Sequence, residues 1–190
     1  NQYLEKLLRE EWIANRVHSP FIMRAAQTEH QRTAIYSLFE YVPGQTLADW
    51  RLTQPVPELE TVLQITEQIG KALQALHRAE ILHQDIRPQN VILDPQGQIR
   101  VIDFGAAKQN FALASQSQAP FTEFYAPIEQ IDGGGEARPT IDIHAFGALM
   151  FRVVAGQIGP KAEARAMALA YGKPDPMPKA SALVGGHYSD

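Results

Sequence analysis

The 190-residue chain contains no cysteine, which excludes disulfides and thiolate-bound metals while leaving the redox compartment open. No apolar run approaches the roughly 20 residues that a membrane-spanning helix needs, and the start carries no signal-peptide pattern. Positive charge is not in excess: 17 Lys and Arg against 21 Asp and Glu leave a net charge of −4, which gives no support to a nucleic-acid or membrane-surface partner. Internal repeats and low-complexity blocks are missing, and the six histidines do not fall at metal-ligand spacings. The first residues, Asn1-Gln2-Tyr3, already lie in a helical pattern without an initiator Met, and Tyr188-Ser189-Asp190 brings no closing element. A fragment of a longer protein is therefore expected, with further domains in the parent chain. A hydrophobic content of 45% with 20% charge is the balance of one globular domain with a sizeable core.

Periodicity places the elements. Apolar residues at Leu4, Leu7, Leu8, Trp12, Ile13 and Val17 form a helical stripe over 3–17, which Ser19-Pro20 ends. Residues 21–27 and 33–41 suit short strands, Pro43-Gly44 punctuates the chain, and a short helix is predicted near 47–52. A long helix over 58–79 carries Leu59, Val62, Leu63, Ile65, Ile69, Ala72, Leu73 and Leu76 at three- and four-residue steps. The runs 91–93 and 99–102 flank Asp94-Pro95-Gln96-Gly97, whose Pro and Gly suit a type I turn and hence a hairpin. Residues 103–125 lack periodicity and read as a long functional loop. Helices are predicted over 140–155 and, more weakly, 161–171, followed by an extended surface tail after Gly172. Trp12, Phe146 and Phe151 are expected in the core, and His77 and His83 in structural roles.

The chemistry concentrates in two places. His83-Gln84-Asp85-Ile86-Arg87-Pro88-Gln89-Asn90 lies between the long helix and the hairpin, and Asp103-Phe104-Gly105 follows the hairpin directly. Asp85 and Asn90 are five positions apart, and Asp103 lies 18 positions beyond Asp85. A hairpin between them can fold the two loops side by side, so three oxygen-bearing side chains converge. Hard divalent ions such as Mg²⁺ bind oxygen and complete their shell with water and substrate phosphates. One carboxylate is then left to face a hydroxyl nucleophile. Turn and cap chemistry is the competing explanation for isolated Asp and Asn residues.

These residues resemble the H-R-D-x-K-x-x-N catalytic loop and D-F-G motif of protein kinases. Further segments match in order. Thr122-Glu123-Phe124-Tyr125-Ala126-Pro127-Ile128-Glu129 resembles the substrate-side segment ending in A-P-E, and 142–147 the start of the central helix of the large lobe. Phe39-Glu40-Tyr41-Val42 resembles the adenine-holding hinge, and Arg9-Glu10 the regulatory helix with its lysine-pairing glutamate. The resemblance covers about 170 residues and is strongest to bacterial serine/threonine kinases, including those fused to a metal-dependent phosphatase. It implies an α+β protein-kinase-like fold, with 1–42 the remainder of a small lobe and 43–190 a large lobe truncated at its C-terminus.

The implied roles follow position by position. Asp85 orients and deprotonates a Ser or Thr hydroxyl, Arg87 touches the transferred phosphoryl group, and Asn90 and Asp103 hold Mg²⁺. Glu40, Val42, Ile92 and Glu10 are the implied ATP-binding residues. Thr122 favours Ser/Thr substrates, Asp142 accepts backbone N–H bonds from the catalytic loop, and His83 and Phe104 stack in a packed column between the lobes. The implied partners are ATP and a protein Ser/Thr substrate, and the implied compartment is the cytoplasm.

The departures matter equally. Gln84 stands where an arginine often pairs with a phosphorylated activation loop, so phosphate on Ser115, Ser117 or Thr122 is not expected to act through it. Arg87 replaces the usual lysine, and a planar fork is not geometrically equivalent to a point charge. Pro127-Ile128 replaces the usual Ala-Pro before Glu129. The glycine-rich loop and the lysine expected to pair with Glu10 would precede Asn1, and Gly133-Gly134-Gly135 is a surface insertion rather than a phosphate loop. Without those parts the chain should bind ATP poorly and catalyse little. For Glu10, in its Arg-Glu-Glu cluster, a solvated helix face competes with the functional role. Three function classes stand: a protein Ser/Thr kinase, a kinase-shaped binding or scaffold module, and, less well supported, a small-molecule phosphotransferase.

Overall fold

A computed structural model describes residues 2–28, 34–109, 121–132 and 137–185. The N-terminal helix α1 (Gln2–Arg16) buries Ile13 and Ala14 near its C-terminal end, where Val17 continues the same face. Trp12, expected in the core, is instead 38% exposed, with the Arg16 guanidinium 5.1 Å above its ring. An aromatic can stay outside in this way because the cation covers its π-face. Leu8 is also exposed.

The two strands expected over 21–27 and 33–41 shrink to single bridges, Ile22 with Val101 in parallel and Ala25 with Phe39 in antiparallel register. Residue 33 lies outside the described residues. Each bridge is flanked by a few backbone bonds, among them Met23 N–H to Val101 C=O at 3.0 Å and Ala26 N–H to Leu38 C=O at 2.8 Å. Both segments are largely half-exposed, so the packing that would extend a ladder is sparse.

Next come β1 (Gln45–Thr46) and α2 (Leu47–Thr53). Thr46 caps α2 by accepting the Asp49 N–H at 3.1 Å, while its hydroxyl donates to the Asp49 carboxylate at 2.6 Å. The long helix α3 (Leu59–Arg78) buries Val62, Ile65, Ile69, Ala72, Leu73 and Leu76. Leu59 and Leu63, members of the same apparent stripe, lie on its edge and are exposed.

Strand β2 (Ile81–Leu82) follows, then a 3₁₀ turn at Pro88–Asn90 and the hairpin β3 (Val91–Leu93) and β4 (Ile99–Val101). The sheet order is β1-β3-β4, all antiparallel, and β2 pairs with β5 (Lys108–Gln109) in a second small sheet. In the hairpin turn, Asp94 C=O accepts the Gly97 N–H at 3.1 Å, and the Asp94 carboxylate takes the N–H groups of Gln96 and Gln98. Gln68 ties the hairpin to α3: its amide donates to Gly97 C=O at 2.9 Å and accepts from Ile99 N–H at 3.0 Å. The spacing of the two loops in space is thereby fixed by a helix.

The remaining helices are α4 (Ile128–Ile131), α5 (Thr140–Ala155), α6 (Ala162–Ala170) and α7 (Ala180–Leu183). Helix α5 ends at Gly156, whose φ of 73° is left-handed. A side chain there would also strike Arg51, with Nη2 2.5 Å from an added Cβ. Arg51 is buried because it caps that helix end, donating through Nε to Val153 C=O at 2.6 Å. Helices α1, α2, α3 and α5 and strands β3 and β4 share one core, which includes Ile69, Leu76, Ile86, Val101, Phe104 and Leu149. Phe151 is buried and Phe146 packs partly buried against that core. The tail after Gly172 departs from the expected extended segment: Arg165 clamps Asp175 at 2.7 Å, and α7 delivers Val184 into a buried position. No helix among the described residues is long and apolar enough to cross a membrane.

Candidate phosphotransfer site

The loop between β2 and the 3₁₀ turn hangs on one fully buried carboxylate. Asp142, in the first turn of α5, accepts the His83 N–H at 2.9 Å and the Gln84 N–H at 2.8 Å, one on each oxygen. The N-terminal end of a helix favours a negative charge there. His77, at the end of α3, adds Nε2 at 2.8 Å from Asp142 Oδ2. Both histidines therefore play structural parts, and the pairing of His77 with Asp142 was not foreseen. These bonds hold Gln84 at a φ of 63°, a left-handed conformation that a non-glycine residue adopts at a cost. The Gln84 carbonyl is also engaged, accepting from the Gln130 side chain at 2.8 Å.

His83 works as a spacer. Its Nδ1 accepts the Asp85 N–H at 3.3 Å, so Nε2 carries the proton that goes to Ile102 C=O at 3.2 Å. Its ring meets Phe104 with centroids 5.3 Å apart and planes tilted by 54°. The stacking pair expected from sequence is thus present, and it joins the catalytic-loop segment to the Asp103-Phe104-Gly105 segment.

Asp85 is the centre of a polar network. Asn90 Nδ2 donates both hydrogens to it, at 2.8 Å to its carbonyl and 2.9 Å to Oδ2. The Thr122 hydroxyl donates to Oδ1 at 2.8 Å and accepts from Arg87 Nη1 at 3.3 Å. Arg87 Nε lies 3.5 Å from Asp85 Oδ2, beyond a good hydrogen bond, and is buried without a partner. The structure therefore gathers Asp85, Arg87, Asn90 and Thr122, which the sequence spreads over 38 positions.

Asp103 also sits at a left-handed φ, 61°, and its Oδ1 accepts the Gly105 N–H at 3.1 Å. Across from it stands Glu10 of α1, its side chain 15% exposed. Burial pushes the Glu10 carboxyl above its ordinary value, the Asp103 charge adds to the rise, and Lys6 partly offsets both. Lys6 Nζ is 3.8 Å from Glu10 Oε1 and 3.8 Å from Asp103 Oδ1. The i, i+4 spacing of Lys6 and Glu10 was legible in the sequence, but the link to Asp103 was not.

Because the folded chain holds the Glu10 proton more tightly than the unfolded chain, stability should fall as pH rises from 4.5 through the raised value. Glu10→Gln removes that decline, so the variant should melt higher than the parent at neutral pH. Thermal melts across pH 4–8 check this; a variant that melts lower at pH 7 would show that the Lys6 pairing outweighs burial and repulsion.

Glu40, Val42 and Ile92 are not drawn into this network. Glu40 turns to the Arg24 N–H at 3.3 Å and to Arg100 at 3.9 Å. Ile92 is half-buried on the face of β3 opposite to Val91 and Leu93, and Val42 is half-buried in the segment before β1. Ser115, Ser117 and Gly133-Gly134-Gly135 lie outside the described residues. For a metal, the donor set is oxygen only. Both Asn90 amide hydrogens are spent on Asp85, which leaves its side-chain carbonyl oxygen as a neutral ligand. Among the described residues no group of three or more His, Cys, Asp or Glu could hold a metal. Two oxygen ligands fit an Mg²⁺ that arrives with substrate phosphates.

Comparison with known proteins agrees with this geometry. The chain is 29% identical over 160 residues to the serine/threonine-protein kinase PrkC of Bacillus subtilis, covering 83% of this chain and 24% of the relative. It is 33% identical over 147 residues to the human cAMP-dependent protein kinase catalytic subunit PRKX, covering 77% of this chain and 40% of that protein. A cAMP-dependent protein kinase catalytic subunit of Dictyostelium discoideum is 33% identical over 158 residues, covering 80% of this chain and 23% of the relative. The chain thus spans about half or less of the length of these curated relatives. Residues 1–169 match the protein kinase domain family, and the chain belongs to that family.

Proposed function

We propose that the chain carries the phosphotransfer centre of a serine/threonine protein kinase, which moves the γ-phosphoryl group of ATP to a Ser or Thr hydroxyl. The observation that carries this is the Asp85 carboxylate, fixed on one oxygen by Thr122 and on the other by Asn90, with the buried Arg87 Nε unpartnered beside it. A carboxylate pinned in this way can orient a hydroxyl and take its proton at Asp85 as the oxygen attacks phosphorus. The Arg87 side chain is about a third exposed, and its fork-shaped cation suits a phosphoryl oxygen at that accessible side.

Asn90 and Asp103 would hold Mg²⁺, which supplies charge neutralisation for the phosphates when bound. Glu40, Val42 and Ile92 would line the adenine side, and Glu10 would stand behind the phosphates. Thr122 would fit a Ser/Thr rather than a Tyr acceptor by occupying space next to Asp85. The division into a small-lobe remainder at 1–42 and a large lobe at 43–190 belongs to the same proposal, as does a cytoplasmic setting, where ATP is at hand.

The test is transfer of label from γ-³²P-ATP with Mg²⁺ to a generic Ser/Thr-rich protein, followed by phosphoamino-acid analysis. Phosphoserine and phosphothreonine without phosphotyrosine are expected. Nucleotide binding with no transfer to any protein would support the scaffold reading instead, and label on a small metabolite the third class.

A further inference from the structure

We propose that Gln130 is a positioning residue for phosphoryl transfer: from the substrate-side segment it fixes the peptide plane that carries Asp85. The proposal deepens the kinase reading and rests on it. Gln130 lies on α4, half-buried, and its Nε2 donates to the Gln84 carbonyl at 2.8 Å. Only the amide nitrogen of a glutamine can face a carbonyl oxygen, so chemistry settles the direction of this bond. On the same peptide unit, the Asp85 N–H reaches His83 Nδ1 at the longer distance of 3.3 Å. A peptide unit is planar, so a grip on its oxygen and on its N–H fixes the direction in which Asp85 leaves it.

The peptide unit before it is gripped as well, through the Gln84 N–H on Asp142 Oδ1 at 2.8 Å. Gln84 is thus held between two clamped planes at its left-handed φ of 63°. Its own side chain gives little help, being buried with Oε1 unpartnered. A left-handed non-glycine residue persists only where its surroundings over-determine it, and Gln130 secures the carbonyl side. Helix α4 is a firm base for this grip. Tyr125 and Ala126, just before it, are buried, and their N–H groups bond the Thr122 carbonyl at 2.9 and 3.0 Å. Thr122 in turn donates its hydroxyl to Asp85 Oδ1 at 2.8 Å. One segment, 122–131, therefore holds the proposed base twice, by its carboxylate and by the peptide before it. Misplacing a reacting group by about 1 Å can cost roughly a hundredfold in rate. Loss of the Gln130 bond should therefore appear in kcat.

The experiment compares the parent chain with Gln130→Met, which keeps an unbranched stem but has no donor, and Gln130→Lys, which restores one. Transfer kinetics from labelled MgATP to a Ser/Thr-rich protein give kcat and the KM for MgATP. Thermal melting reports folding, and amide exchange at Asp85 reports the peptide plane without turnover. Gln130→Met should lower kcat by about tenfold, inside the range of positioning effects. Its KM for MgATP and its melting temperature should stay near those of the parent, while exchange at Asp85 speeds up. Gln130→Lys should recover most of the lost kcat. A parent-like kcat in Gln130→Met, or a loss that Gln130→Lys does not recover, would overturn the assignment and leave the kinase reading intact. A parent that transfers no phosphate would overturn the kinase reading, and unchanged exchange at Asp85 in Gln130→Met would then overturn the positioning contact too.

Discussion

Asp142→Ala should cost the folded chain roughly 3–5 kcal/mol, because it strands two buried backbone N–H groups and the His77 ring nitrogen at once. The carboxylate is fully buried, so water cannot replace it without opening the junction of α5 with the catalytic loop. A loss of that size is a large share of the 5–15 kcal/mol that typically holds a domain together. The damage should also be local, since the left-handed backbone of Gln84 would lose the bond to its N–H that helps hold it. Asp142→Asn should fall between, because the amide keeps one acceptor and turns a donor toward another donor. Urea unfolding measures this, with amide exchange at His83 and Gln84 as the site-specific readout. A change below about 1 kcal/mol, the net worth of one ordinary hydrogen bond, would mean that the loop is held by something other than Asp142.

Asp85→Asn is the second large effect, and it should appear in turnover rather than in folding or nucleotide binding. The amide can still accept the Thr122 hydroxyl through its oxygen, so the network keeps most of its shape. It cannot take a proton from an attacking hydroxyl at neutral pH. General-base contributions of about 10²–10⁴-fold are typical, and kcat should fall within that range. MgATP affinity should hold, because Asn90 keeps its bond to the Asp85 backbone carbonyl and the substitution does not reach Asp103. A matching loss in MgATP affinity would instead assign Asp85 to binding.

Much of the frame could be read directly from periodicity. The stripe from Val62 to Leu76 and the run over 140–155 became α3 and α5 with bounds within a residue or two, since both helices bury a strong apolar face. The hairpin was legible because Asp94, Pro95 and Gly97 carry turn chemistry that needs no tertiary partner. Trp12, Leu59 and Leu63 were harder, because periodicity locates a stripe but not its edges. The segments 21–27 and 33–41 have strand-like composition, yet a ladder depends on neighbours that composition does not reveal. The tail helix α7 is only four residues long, below the reach of a periodic signal.

The candidate site shows the same division. Spacing and motif order pointed to Asp85, Asn90 and Asp103, and the structure joins the first two directly. His77 and Asp142 pair across 65 positions, and Lys6 reaches Asp103 from another helix. Such contacts are set by how α1, α3 and α5 pack, so no local pattern announces them.

Single-turnover phosphoryl transfer from MgATP, measured side by side for the parent chain and Asp85→Asn at saturating nucleotide, addresses the central claim most directly. The account predicts slow but measurable transfer to Ser/Thr hydroxyls in the parent and a drop of at least about a hundredfold in the variant, at the lower end of general-base effects. Equal rates in the two proteins, or no transfer in a parent that binds MgATP well, would contradict it.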